Sequence, residues 1–114
     1  MTDHLERAKT IDAQARTLYQ AAPQTMKAYA GLMAAATADG ALDGKTKELM
    51  AVSIAVAIRC EGCITYHARA AVKKGASREE FAEAIAVAVE MGGGPAAVYG
   101  AEALGAYDQF AETD

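Results

Sequence analysis

Large aromatic side chains are scarce: the 114 residues hold no tryptophan, two phenylalanines and five tyrosines. Small residues must therefore fill the core, and alanine alone supplies 29 positions. Alanine is the strongest helix former but buries little area per residue. The composition predicts an all-α chain with a thin core. Small side chains let helices approach closely, yet a thin core stabilises a lone domain poorly. A homo-oligomer is the expectation that follows.

Basic runs are missing too. The 11 Lys and Arg are scattered against 15 Asp and Glu, for a net charge of −4. This leaves no electrostatic footprint for nucleic acid. The longest apolar run, Leu49 to Ile58, is broken by Ser53. It falls far short of the ~20 residues that span a bilayer, so no membrane segment is expected. Met1-Thr2-Asp3-His4 opens on an acid and leads into a charged helix, which predicts no secretory leader. A soluble, cytoplasmic protein is the expectation. In a reducing compartment, two cysteines are catalytic or metal-binding sooner than a structural staple. Internal repeats, low-complexity tails and strand pairs are absent, which predicts one domain over 1–114.

What is present is helical periodicity. Leu5, Ala8, Ile11, Ala15 and Leu18 set a narrow apolar stripe on a helix from 3 to about 20. Pro23 suits the first turn of a second helix, with Met26, Tyr29, Ala30 and Met33 on one side and a stop at Asp39-Gly40. Asp43 is a good N-cap for a third helix, 44 to about 59. Its Leu49, Met50, Val52, Ile54, Val56 and Ile58 point all round, which predicts burial on every side. A fourth helix follows over 63–74, ending on Lys73-Lys74 and a left-handed Gly75. Ser77 and Glu80 form a capping box for a fifth helix, through Phe81, Ile85, Ala88 and Val89. Gly92-Gly93-Gly94 breaks the chain, and Pro95 opens a sixth helix with Tyr99, Ala103, Ala106 and Phe110 on one face. The glycine run has neither the Lys-Ser or Lys-Thr pair nor the preceding strand of a phosphate-binding loop.

The chemistry sits between the third and fourth helices. Cys60-Glu61-Gly62-Cys63 at a helix start can close a strained, easily reduced disulfide, and the helix N-terminus favours thiolate. His67 lies four residues beyond Cys63, one turn along the same face, and can take the thiol proton. Glu48 enters the most apolar helix, where a partly desolvated carboxylate suits proton transfer. Along a straight helix, Glu48 and Cys60 stand about 18 Å apart. They share a site only if the fourth helix folds back along the third, if the helix bends, or if a neighbouring subunit contributes. Tyr66 reads as packing, and Arg59 and Glu61 as solvated flanks of the motif. Two other readings stay open on spacing alone. One is a zinc-binding structural module using Cys60, Cys63 and His67, although His4 is the one histidine left to complete it. The other is a non-catalytic thiol redox sensor.

Glu48, an eleven-residue gap, Cys60-Glu61-Gly62-Cys63, a three-residue gap and His67 together resemble the alkylhydroperoxidase D (AhpD)-like branch of the carboxymuconolactone decarboxylase superfamily. The lead-in Leu42 to Leu49 and the run Gly92 to Gly100 are similar to small single-domain members. The motif core runs from about 42 to 100 and the likeness from roughly 20 to 112. The resemblance implies an all-α fold and a homo-oligomer, commonly a trimer or hexamer. It also implies a thiol peroxidase or disulfide oxidoreductase that needs no metal, haem or flavin cofactor. Carried over by position, Cys63 is the attacking thiol, Cys60 the resolving thiol, His67 the base and Glu48 part of a proton relay. The implied partners are a hydroperoxide substrate and a lipoyl-bearing or thioredoxin-like dithiol reductant. Gly62 stands where the best-known members carry a second histidine, which implies a proton relay that is weaker or differently built.

Overall fold

A computed structural model describes residues 1–113 as six helices, with no strand among them. They are α1 (His4–Ala21), α2 (Pro23–Thr37), α3 (Gly44–Ala57), α4 (Glu61–Lys73), α5 (Arg78–Gly92) and α6 (Gly94–Thr113). Caps set the boundaries much as the sequence predicts. The side chains of Asp3, Asp43 and Ser77 accept the backbone N–H of Glu6, Thr46 and Glu80, and Ser77 with Glu80 completes the capping box. Gly75 takes φ 84°, closing α4 with a left-handed turn. Two boundaries differ by about two residues. Helix α2 ends at Thr37, short of Asp39-Gly40, and α4 starts at Glu61 because Cys60 itself is the N-cap.

Helices α3, α4, α5 and α6 pack on one another around Val52, Val56, Ile64, Ala68, Phe81, Ala103 and Ala106. Alanine brings these helices close. At Gly100 an added Cβ would lie 2.5 Å from Ile85 Cγ2, so only glycine lets α6 approach α5 so closely. Ser53, the polar break in the apolar run, donates its hydroxyl to the Ala84 carbonyl of α5 at 2.6 Å. Tyr107 donates its hydroxyl to the Ala76 carbonyl at 2.7 Å, tying α6 to the turn before α5.

Two packing expectations are corrected. Helix α3 is not buried on every side. Glu48, Val52, Ala55 and Val56 face inward, but Met50, Ile54 and Ile58 are 48%, 56% and 64% exposed. These three recur every four residues and form one outward stripe. Apolarity all round does not bring burial all round here, because the single chain covers only one side of this helix. Helix α2 buries no residue at all. Met26, Ala30 and Met33 are half-covered, and Tyr29, expected beside them, is exposed.

Candidate functional site

The site is built where α3 turns into α4. After Ala57 the chain closes α3 with two backbone bonds, Arg59 N–H to Val56 O at 3.2 Å and Cys60 N–H to Ala55 O at 3.0 Å. Arg59 takes φ 60° to do so, a conformation that costs a side-chain-bearing residue of the order of 1 kcal/mol. This tight reversal lays α4 back along α3. The first of the three routes by which Glu48 could reach the dithiol region is the one the chain takes.

Cys60 and Cys63 are joined in a disulfide, with Cα atoms 5.2 Å apart. Cys60 is also the helix cap: its Sγ accepts the N–H of Cys63 at 3.2 Å. Sulfur here takes the place that a serine or aspartate oxygen takes at other helix starts. Glu61 stands in the first turn of α4, where an acid suits the helix dipole. Both cysteines are half-buried, and Cys63 packs against the core.

Glu48 meets His67 within one chain. The His67 Nδ1–Glu48 Oε1 distance is 2.7 Å, with the glutamate side chain 7% exposed and the histidine 23%. A carboxylate can only accept, so the proton of this bond belongs to Nδ1. In the neutral imidazole Nε2 then carries the lone pair, the arrangement in which a buried acid orients a histidine to act as base. His67 is one turn beyond Cys63 on the same helix. All four residues singled out in the sequence therefore lie on the α3–α4 hairpin. The structure joins them in two pairs: Cys60 with Cys63, and Glu48 with His67.

Tyr66, read from the sequence as packing, stands beside the site, and Arg69 and Asp12, which gave no signal there, join it. The Tyr66 ring meets the His67 ring edge-on at 5.0 Å. Arg69 stacks over Tyr66 at 5.5 Å and forms a two-bond ion pair with Asp12 of α1, at 2.9 and 3.0 Å. The Arg69 guanidinium bonded to Asp12 holds that carboxyl below its ordinary pKa, and Asp12 in turn raises that of Arg69. Beside Tyr66 opens a cavity of about 330 Å³, walled also by Tyr19, Met33 and Thr37. On the other side of α4, His4 is buried against Thr65, Nδ1 to Oγ1 at 2.8 Å. His4 is thus engaged with Thr65, and no three His, Cys, Asp or Glu among the described residues are grouped to hold a metal.

Comparison with known proteins agrees with this architecture. The carboxymuconolactone decarboxylase family model matches residues 23–106. An uncharacterised protein of Cupriavidus necator is 44% identical over 107 residues, covering 94% of this chain and 95% of its own. A crystal structure of a carboxymuconolactone decarboxylase family protein from Legionella pneumophila is similar with a TM-score of 0.92 and 45% identity, over 95% of this chain and 96% of that one. A second structure, from Thermotoga maritima, gives a TM-score of 0.80 and 33% identity over 92% of each chain. That protein is described as a family member with a possible involvement in antioxidative response. On sequence and fold alike, this chain belongs to the carboxymuconolactone decarboxylase family.

Proposed function

We propose that the protein is a thiol-dependent peroxidase, a disulfide oxidoreductase that reduces hydroperoxides through the Cys60–Cys63 dithiol. The observation that carries this reading is the 2.7 Å Glu48–His67 hydrogen bond, one helical turn from a cysteine pair that caps its own helix. A neutral histidine paired through Nδ1 is suited to remove the Cys63 proton at Nε2, and the start of α4 favours the thiolate formed. The thiolate attacks the terminal oxygen of the hydroperoxide and the O–O bond breaks. The alkoxide leaves as an alcohol, taking the proton from His67, and Cys63 becomes a sulfenic acid. Cys60 then attacks that sulfur, water departs, and the disulfide forms. An external dithiol, lipoyl-bearing or thioredoxin-like, exchanges with the disulfide and is itself oxidised, returning both cysteines to thiols in the reducing cytoplasm.

The antioxidative association of the Thermotoga relative fits this chemistry. The outward stripe of Met50, Ile54 and Ile58 supports a homo-oligomer as the working form, since exposed apolar rows of this kind mark contact surfaces. The test is trapping with a sulfenic acid reagent after hydroperoxide addition. Cys60→Ser should accumulate one trapped sulfenic acid, on Cys63, and fail to cycle. Cys63→Ser should trap none. Trapping on Cys60 in the Cys63→Ser protein would reverse the assignment of the two thiols.

A further inference from the structure

A single hydrogen bond fixes the distance between His67 and Glu48 but leaves the imidazole free to swing about the bond. A base that must address a neighbouring thiol needs its ring plane fixed as well. The one aromatic contact to His67 among the described residues is Tyr66, with ring centroids 5.0 Å apart and planes at 75°. That contact is not a default of the helix, because adjacent helical residues point about 100° apart and do not face each other. Something outside the pair must turn the tyrosine ring toward the histidine.

Arg69 is that restraint. It sits one turn along α4, with its guanidinium 5.5 Å from the Tyr66 centroid, and its two-bond pair with Asp12 orients it there. Asp12 belongs to α1, so the restraint is anchored on a different element from the site. The row Asp12, Arg69, Tyr66, His67 and Glu48 is thus continuous from α1, across the surface of α4, to the buried face of α3.

We propose that Tyr66 is a positioning residue for His67, held in place by the Arg69–Asp12 pair, so that α1 sets the orientation of the base. This rests on the reading of His67 as the base, and the ring rather than the hydroxyl does the positioning. The test is proton NMR of the full-length protein, following the His67 Nδ1–H that is bonded to Glu48. A hydrogen-bonded proton under an ordered tyrosine exchanges slowly with water and gives a resolved signal. Tyr66→Phe should keep that signal. Tyr66→Leu and Arg69→Met should broaden it away, and Asp12→Asn should broaden it in part, while circular dichroism stays that of a folded helical protein. A signal unchanged in Tyr66→Leu and Arg69→Met, or one lost equally in Tyr66→Phe, would overturn the proposal. If Tyr66→Leu does not fold, Arg69→Met and Asp12→Asn alone decide it, because neither removes core volume. The signal is read from the imidazole and not from turnover, so failure of the peroxidase reading and failure of this positioning are separate results.

Discussion

Glu48 is a carboxylate placed among valines and alanines, and it is kept there by one bond. Its partner is nineteen residues away in the chain, across a reversal. The motif spacing singled out both residues but could not place them in contact, because that depends on how the chain turns at Arg59 and Cys60. The turn was hard to read in advance. An arginine adopts the left-handed conformation usually left to glycine, and a cysteine sulfur serves as helix cap. The Asp12–Arg69 pair joins residues 57 apart and left no local trace at all. The role of Glu48 gives a direct expectation. Glu48→Gln keeps the shape but removes the charge that steadies the protonated imidazole. Alkylation of reduced Cys63 by iodoacetamide at neutral pH should slow by about 10²-fold, as for loss of an oriented general base. An unchanged alkylation rate would remove Glu48 from the relay.

At the scale of elements, the caps made the helices legible. Asp43, Ser77 with Glu80, Gly75 and Pro23 each stand within a residue or two of a helix end. The faces were legible only where the pattern was amphipathic, as in α5 with Phe81, Ile85 and Ala88 inward. Helix α3 offered no polar side to exclude, so nothing in its sequence separated Val52 and Val56, which are buried, from Met50, Ile54 and Ile58, which are not. The exposed stripe is a property of the element that only the fold reveals. Ile54→Lys tests what covers it. At an exposed site in the lone chain the change should cost no more than about 0.5 kcal/mol. In an assembly it buries a charge. Light scattering at micromolar concentration should show an oligomer for the parent protein and a monomer for Ile54→Lys; a monomeric parent protein would contradict the assembly.

At the scale of the whole molecule, the chain start is locked to its end. The His4 N–H donates to Gln109 Oε1 at 2.7 Å, and the buried ring meets Thr65, with Glu102 3.8 Å from Nε2. Burial pushes the His4 pKa below its ordinary 6.5; Glu102, Asp3 and Glu61 oppose the fall and Arg7 adds to it. The unfolded chain therefore takes up this proton first as pH falls. The stability that His4 contributes is complete above about pH 6.5 and is lost as pH drops from there through the lower folded value. Urea midpoints should decline as pH falls below about 6.5 in the parent protein and decline less in His4→Gln. Equal slopes would show that His4 does not carry the acid sensitivity. Only the amphipathic start of α1 was legible here, since a buried histidine at residue 4 depends on α4 and α6 closing over it.

Whether the α3–α4 hairpin turns over hydroperoxide is measured by steady-state reduction of tert-butyl hydroperoxide with dihydrolipoamide as donor. A peroxidase should give many equivalents of alcohol per chain, with the Cys60–Cys63 disulfide as the only oxidised form recovered by mass spectrometry when the donor runs out. A single equivalent followed by arrest, with the disulfide formed but not reduced by the donor, would contradict the peroxidase reading and leave a thiol that senses oxidation without catalysing it.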